Sequence, residues 1–134
     1  MINSAHWPTW SSTGARVITD EIHAPIRYNT NFSPYAAISP ATRAHTVTVS
    51  SATKAWNFPG LRTAMVALTG PEDHNVWDRL AFLETSGASP LGMVATRAAL
   101  QHGRSWLDSV LVDLDAHRHL VDDLFTGAGM HGIY

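Results

Sequence analysis

Lys54 is the only lysine in 134 residues, and it follows a hydroxyl-rich turn, Ser50-Ser51-Ala52-Thr53. The stretch continues Ala55-Trp56-Asn57-Phe58-Pro59-Gly60-Leu61-Arg62, so an arginine stands eight residues beyond the lysine. Upstream, the short apolar run Ala15-Arg16-Val17-Ile18-Thr19 ends in Asp20-Glu21-Ile22-His23, which places an acid 34 residues before Lys54. One amine, one carboxylate, several hydroxyls and a guanidinium suit a group that carries an aldehyde, a basic ring nitrogen and a phosphate. Pyridoxal phosphate has all three, and it needs those partners to be held and used.

Such side chains must be positioned by regular elements. Val17-Ile18 and their neighbours read as a buried strand, with Asp20 at its carboxyl end, where open α/β sheets place ligand-binding groups. Residues 24–44 hold Pro25, Pro34 and Pro40 among several Asn, Ser and Thr, and predict a long loop with one short helical turn. His45-Thr46-Val47-Thr48-Val49 is β-branched and leads as a strand into the lysine turn. A third strand is expected over Thr63–Leu68, stopped by Gly70-Pro71.

Helices follow. Pro71 with Glu72 and Asp73 favours a helix start, and Val76, Trp77, Leu80 and Leu83 predict a helix to Leu83. Ser89-Pro90 opens a second helix reaching His102, before Gly103. A third spans Ser105–Phe125, with Ser105 and Asp108 spaced like a capping box and Leu107, Val110, Leu111, Leu114, Val121 and Leu124 at helical intervals. Gly127 and Gly129 end it. Strands followed by helices, with no repeat, indicate an α/β layered fold.

Composition narrows the function. The chain is 45% hydrophobic and only 15% charged, a globular balance with little charged surface, which suggests apolar surface awaiting a partner. A net charge of −2 and nine scattered basic residues give no field for nucleic acid or anionic lipid. There is no cysteine, which excludes disulfides and thiolate chemistry and fits a cytoplasmic protein. The opening residues lack a signal-peptide pattern, and apolar runs such as Ala64–Leu68 are too short to span a bilayer. His117 and His119 are two apart on a helix and face different directions, and the other histidines show no ligand spacing, so no metal site is expected. No Gly-x-Ser-x-Gly elbow is present. Gly127-x-Gly129-x-x-Gly132 follows a helix rather than a strand and has no dinucleotide-binding context.

Asp20-Glu21-Ile22-His23-Ala24-Pro25, followed by Ser51-x-x-Lys54-x-Trp56-Asn57-x-Pro59-Gly60-Leu61-Arg62, resembles the fold-type-I pyridoxal-phosphate (PLP) enzymes of the class I/II aminotransferase family. Within it, the pattern is most similar to the MalY/PatB-like branch of cystathionine β-lyase-like carbon–sulfur lyases, and the resemblance runs from about Ala15 to near Phe125. It implies a fragment of the PLP-dependent transferase large domain running into the start of the small domain. The corresponding divisions are an irregular segment 1–14, a partial cofactor-binding domain 15–103, and a connecting helix with the start of the small domain 104–134. The resemblance further implies Lys54 as the residue that bonds the cofactor and as the catalytic base. Asp20 would partner the ring nitrogen, and Ser51 and Arg62 the phosphate. His23 stands where many aminotransferases place a tyrosine near the 3-hydroxyl, which favours the lyase branch; a hydrogen-bonded structural histidine is the other reading.

The resemblance implies a small sulfur-containing amino acid as substrate and a homodimeric parent enzyme. A PLP-dependent aminotransferase shares the first chemical steps. The family's chains are far longer, and their glycine-containing phosphate loop, ring-stacking aromatic and carboxylate-gripping arginine have no match here. The chain is therefore expected to be the middle segment of an enzyme, from a truncated, frameshifted or split gene. As an isolated polypeptide it is expected to bind PLP weakly and to be a non-catalytic remnant or an associating subunit, with sheet edges and apolar faces left open.

Overall fold

The computed structural model describes residues 14–130. Among them, three strands form one sheet in the order β1 (Val17–Asp20), β2 (Thr46–Ser50), β3 (Met65–Leu68). β-branched residues dominate the first two, and their stiff side chains suit a pleated surface. β1 runs parallel to β2 with Asp20 opposite Val49, and β3 returns antiparallel with Val66 opposite Val49.

This register sorts the faces. Ile18, Val47, Val49, Val66 and Leu68 share one side with Asp20, while Thr19 and Thr48 hydrogen-bond at 3.1 Å on the other. The first side is open, with Ile18 75% exposed and Val66 39%. The outer edges of β1 and β3 have no strand partner among the described residues. Open edges and an open apolar face agree with the expectation from sequence.

The parallel pair needs a crossover. It contains two turns where one was expected: a 3₁₀ turn, Tyr35–Ala37, and the short helix α1 (Pro40–Ala44). Ser39 and Thr42 form a reciprocal capping box at its start. His45 then bonds back to the Ala41 carbonyl at 2.5 Å and to the Tyr35 hydroxyl at 3.2 Å, fixing where β2 begins.

β3 starts at Met65 rather than Thr63, because the Thr63 carbonyl accepts the Ser51 hydroxyl at 2.5 Å instead of a ladder bond. The helices α2 (Pro71–Trp77), α3 (Phe82–Thr85), α4 (Pro90–His102) and α5 (Arg104–Gly127) follow. The single helix expected to Leu83 is thus broken after Trp77, where the Arg79 and Leu80 amides bond back to the Val76 and Trp77 carbonyls as tight turns. Val76 and Leu80 are 51% and 41% exposed, so no buried face holds a longer helix together.

α4 has the expected limits, capped by Ser89. α5 starts one residue earlier than expected. Gly103 occupies its N-cap with no side-chain cap, and Asp108 pairs with Arg104 at 2.8 Å, so Ser105 and Asp108 do not form a capping box. At the other end Met130 bonds to the Phe125 carbonyl across Gly129 at φ +74°, a left-handed stop that glycine allows. Leu120, Val121, Leu124 and Phe125 remain exposed on its last turns. No helix among the described residues is long and apolar enough to cross a membrane. The expected irregular segment 1–14 lies almost wholly outside the described residues.

Buried side chains fall into an apolar group and a polar one, the polar one holding His45, Thr46 and Asp73 around the start of β2. Ala52, Ala55, Ala99 and Leu107 are the buried apolar residues among those described. Two flank Lys54, and the others lie on α4 and α5 on either side of Gly103. The buried apolar group therefore lies around the lysine turn and the α4–α5 junction.

Candidate functional site

The lysine turn is one helical turn closed at both ends. Ser51, 4% exposed, accepts the Thr53 amide at 3.1 Å in the manner of an N-cap. The Trp56 amide then bonds to the Ala52 carbonyl at 3.0 Å. Phe58 N–H reaches the Thr53 carbonyl at 3.0 Å and Asn57 N–H the Lys54 carbonyl at 3.3 Å, a Schellman closure with Asn57 at φ +54°. Asparagine tolerates this left-handed conformation better than most residues do. We expect Asn57→Ala to lower stability by about 1 kcal/mol, seen as a lower urea midpoint at unchanged slope. Asn57→Gly should stay within about 0.5 kcal/mol of the parent.

Strand pairing brings the acid to the same end of the sheet. The β1–β2 ladder continues past Asp20 through Glu21 N–H to the Val49 carbonyl at 2.8 Å, and the Ser50 hydroxyl bonds to the Glu21 carbonyl at 3.3 Å. Asp20 and Ser51 therefore emerge from neighbouring parallel strand ends. The exposed Asp20 carboxylate accepts the Ile22 amide at 3.0 Å, which holds it at the start of the following turn. Because β3 returns antiparallel, the segment before it, with Arg62, lies at this end too.

Arg62 sits at φ +42°, an uncommon conformation for a side-chain-bearing residue. The neighbours hold it there. Its amide closes the 3₁₀ turn Pro59–Leu61, and its carbonyl accepts the Ser89 amide at 3.2 Å from the start of α4. Gly92, one turn into α4, lies against Leu61 and Thr63. Arg62 and Ser51 line a cavity of about 500 Å³ with Ile22, Thr63 and Trp77.

All five residues expected at the site thus lie toward the same end of the sheet, but they do not share one cavity. Lys54 is exposed, and neither it nor Asp20 is among the walls of the space shared by Ser51 and Arg62. His23, also exposed, opens onto a separate hollow of about 610 Å³ with Arg27, Tyr28 and Arg118. The Ser51 hydroxyl has one proton, and its geometry gives that proton to the Thr63 carbonyl while the oxygen accepts from Thr53. A phosphate oxygen would have to compete for it.

Two further residues shape the site without standing out in the sequence. Gly92 lies inside the apolar pattern of α4, although an isolated glycine in a helix is a signal of close approach. Trp56 enters the sequence pattern only as one position of a motif. Its indole N–H donates to the Gly103 carbonyl at 2.9 Å.

The donor set suits a group with an aldehyde, a ring nitrogen and a phosphate: Lys54 supplies the amine, Asp20 the carboxylate and Arg62 a guanidinium beside open volume. Comparison with known proteins gives the family. The sequence profile of "Aminotransferase class I and II" matches residues 8–130, extending beyond Ala15 and Phe125 at both ends. A Mycobacterium leprae relative, named provisionally as a cystathionine beta-lyase, is 43% identical over 114 residues, covering 84% of this chain and 28% of its own length. The cystathionine beta-lyase of Corynebacterium glutamicum is 32% identical over 104 residues, covering 78% and 28%. The crystal structure of a PLP-bound C-S lyase from Staphylococcus hominis, complexed with L-cycloserine, superposes with a TM-score of 0.76 at 27% identity, covering 88% and 30%. The chain spans about 28% of the length of the curated relatives it matches. Its mixed α/β arrangement is that of part of the PLP-dependent aminotransferase fold, and the chain belongs to the aminotransferase class I and II family.

Proposed function

We propose that this chain carries the cofactor-binding centre of a PLP-dependent carbon–sulfur β-lyase of the cystathionine β-lyase type. One observation carries the reading: parallel pairing of β1 with β2 and the return of β3 bring Asp20, Lys54 and Arg62 to one end of the sheet. When bound, PLP supplies an electron sink for the pair left behind when a substrate loses its Cα proton. Lys54 would hold the cofactor's aldehyde carbon through Nζ, and its amine would serve as the base for the substrate's Cα proton. Asp20 keeps a proton on the ring nitrogen by opposing it with negative charge. Arg62 binds phosphate oxygens through charge-assisted hydrogen bonds. Ser51 adds to that only by releasing the Thr63 carbonyl, and His23 is assigned to the 3-hydroxyl by its place three residues after the acid.

The substrate class is a small sulfur-containing amino acid, which loses a thiol from Cβ and, with one water consumed, yields a keto acid and ammonia. An aminotransferase would instead leave the amino group on the cofactor, so release of ammonia separates the two. For the whole enzyme we propose a cytoplasmic homodimer, with a division between large and small domains at Gly103; the exposed apolar residues Ile18, Leu124 and Phe125 support a partnered assembly.

A second reading concerns the 134 residues alone. Lys54 is exposed and Asp20 stands at an open strand end, and a site open to water gains little from aligned charge. We expect the isolated chain with PLP to release no pyruvate from cystathionine above the rate of PLP alone, in a dehydrogenase-coupled assay. Borohydride reduction should still fix PLP on Lys54 in excess of the amino terminus, read by peptide mass spectrometry. Labelling of the amino terminus alone would overturn the cofactor assignment. Steady pyruvate release would make the short chain an enzyme in its own right.

A further inference from the structure

The segment from Lys54 to Arg62 is fastened to α4 at two points. At the start of α4, the Ser89 amide bonds to the Arg62 carbonyl at 3.2 Å, and Gly92 lies under Leu61 and Thr63. At its end, the Trp56 indole N–H donates to the Gly103 carbonyl at 2.9 Å. α4 is 13 residues long, so the fastenings are separated by roughly 20 Å along its axis. Its inner face carries the buried Gly92, Thr96 and Ala99, small residues that let the helix lie close to this segment.

The Gly103 fastening has an unusual acceptor. Gly103 is the single residue between α4 and α5, and its carbonyl already accepts Leu107 N–H at 3.1 Å as the first bond of α5. The second lone pair takes the indole. The carbonyl therefore belongs at once to the start of α5 and to the lysine turn. Close packing surrounds the contact: a Cβ on Gly103 would overlap Trp56 Nε1 and come within 2.6 Å of the Ala99 carbonyl oxygen in α4. Ala55, 3% exposed, and Leu107, 2% exposed, are buried on the two sides of the link.

We propose that Trp56 is a positioning residue for Lys54, and that its bond to the Gly103 carbonyl fixes the lysine turn against the α4–α5 break. This rests on the assignment of Lys54 as the cofactor amine. Trp56 is two residues from Lys54 in the same turn, so the indole anchors the backbone from which the amine projects. Without the bond, the turn retains its Schellman closure but loses its side-chain hydrogen bond to the α4–α5 junction.

The test uses the full chain and two variants. Trp56→Phe keeps an aromatic ring and removes the donor; Gly103→Ala keeps the donor and pushes the ring off the carbonyl. Loss of one such bond corresponds to about a tenfold change in local opening. We expect amide exchange at Trp56, Asn57 and Phe58 to quicken about tenfold in both variants, while α4 amides keep their rates in Trp56→Phe and, up to the last turn of α4, in Gly103→Ala. We also expect the PLP concentration for half-maximal borohydride labelling of Lys54 to rise about fivefold to tenfold, with amino-terminal labelling unchanged. The double variant should behave like Trp56→Phe alone, since both act on one contact. Faster exchange with unaltered Lys54 labelling would make Trp56 merely structural and overturn the proposal. So would altered labelling without faster exchange, or a fall in melting temperature that accounts for both. If the parent chain itself fails to label Lys54 beyond the amino terminus, the cofactor assignment fails first and this proposal with it; normal parent labelling with unaffected variants refutes the positioning role alone.

Discussion

Lys54→Ala abolishes borohydride-stable attachment of PLP to a side chain, leaving only the amino terminus labelled. The expectation is absolute because the sequence holds no second lysine to substitute for it. Lys54→Arg gives the same loss while keeping the charge, since a guanidinium is always protonated and does not condense with an aldehyde near neutral pH. Lys54 is exposed and its backbone is held by its neighbours' bonds, so both variants should melt within about 0.5 kcal/mol of the parent. Peptide mass spectrometry after reduction reads the first effect and thermal or urea unfolding the second. A variant that still carried one side-chain PLP adduct would show that the reaction is not directed to this site.

Gly92→Ala is expected to be strongly damaging for so small a substitution. A Cβ at this position would overlap the Thr63 hydroxyl oxygen and the Leu61 carbonyl oxygen. The hydroxyl can rotate, but the carbonyl is backbone in a 3₁₀ turn that sets Arg62 at φ +42°. Either α4 lifts or the arginine segment shifts. Overpacking of this kind costs about 2–3 kcal/mol, which for a chain of this size lowers the melting temperature by roughly 5–10 °C. Because the segment carries Arg62, Lys54 labelling should also need more PLP in the folded variant. A Gly92→Ala chain melting within about 2 °C of the parent would mean that α4 does not press on this segment.

Much of the scaffold is legible in local chemistry. Ser89-Pro90 and Gly103 mark the limits of α4, Gly129 the end of α5, and the β-branched run at Thr46 the strand before the lysine. Each of these rests on neighbours within a few residues, where propensity and capping act. Local chemistry misleads where a distant group takes a backbone partner. Thr63 looks like a strand residue, but its carbonyl goes to Ser51, 12 residues away. Leu80 and Leu83 continue a helical period in the sequence, yet exposed Val76 and Leu80 leave no buried face to extend α2.

The sequence by itself determined which chemistry was available. A single amine, an acid at a strand end and an arginine beyond a Pro-Gly turn are facts of composition and order, and no folding changes them. Tertiary structure decided which of these groups share a space. It gave Ser51 and Arg62 a common cavity, turned His23 toward another, committed the Ser51 proton to Thr63, and tied Trp56 to Gly103, 47 residues on. The physical reason is that local propensity acts within a turn or two along the chain. Hydrogen-bond partners and packed volumes are assigned between segments far apart in sequence, once their backbones have been brought together.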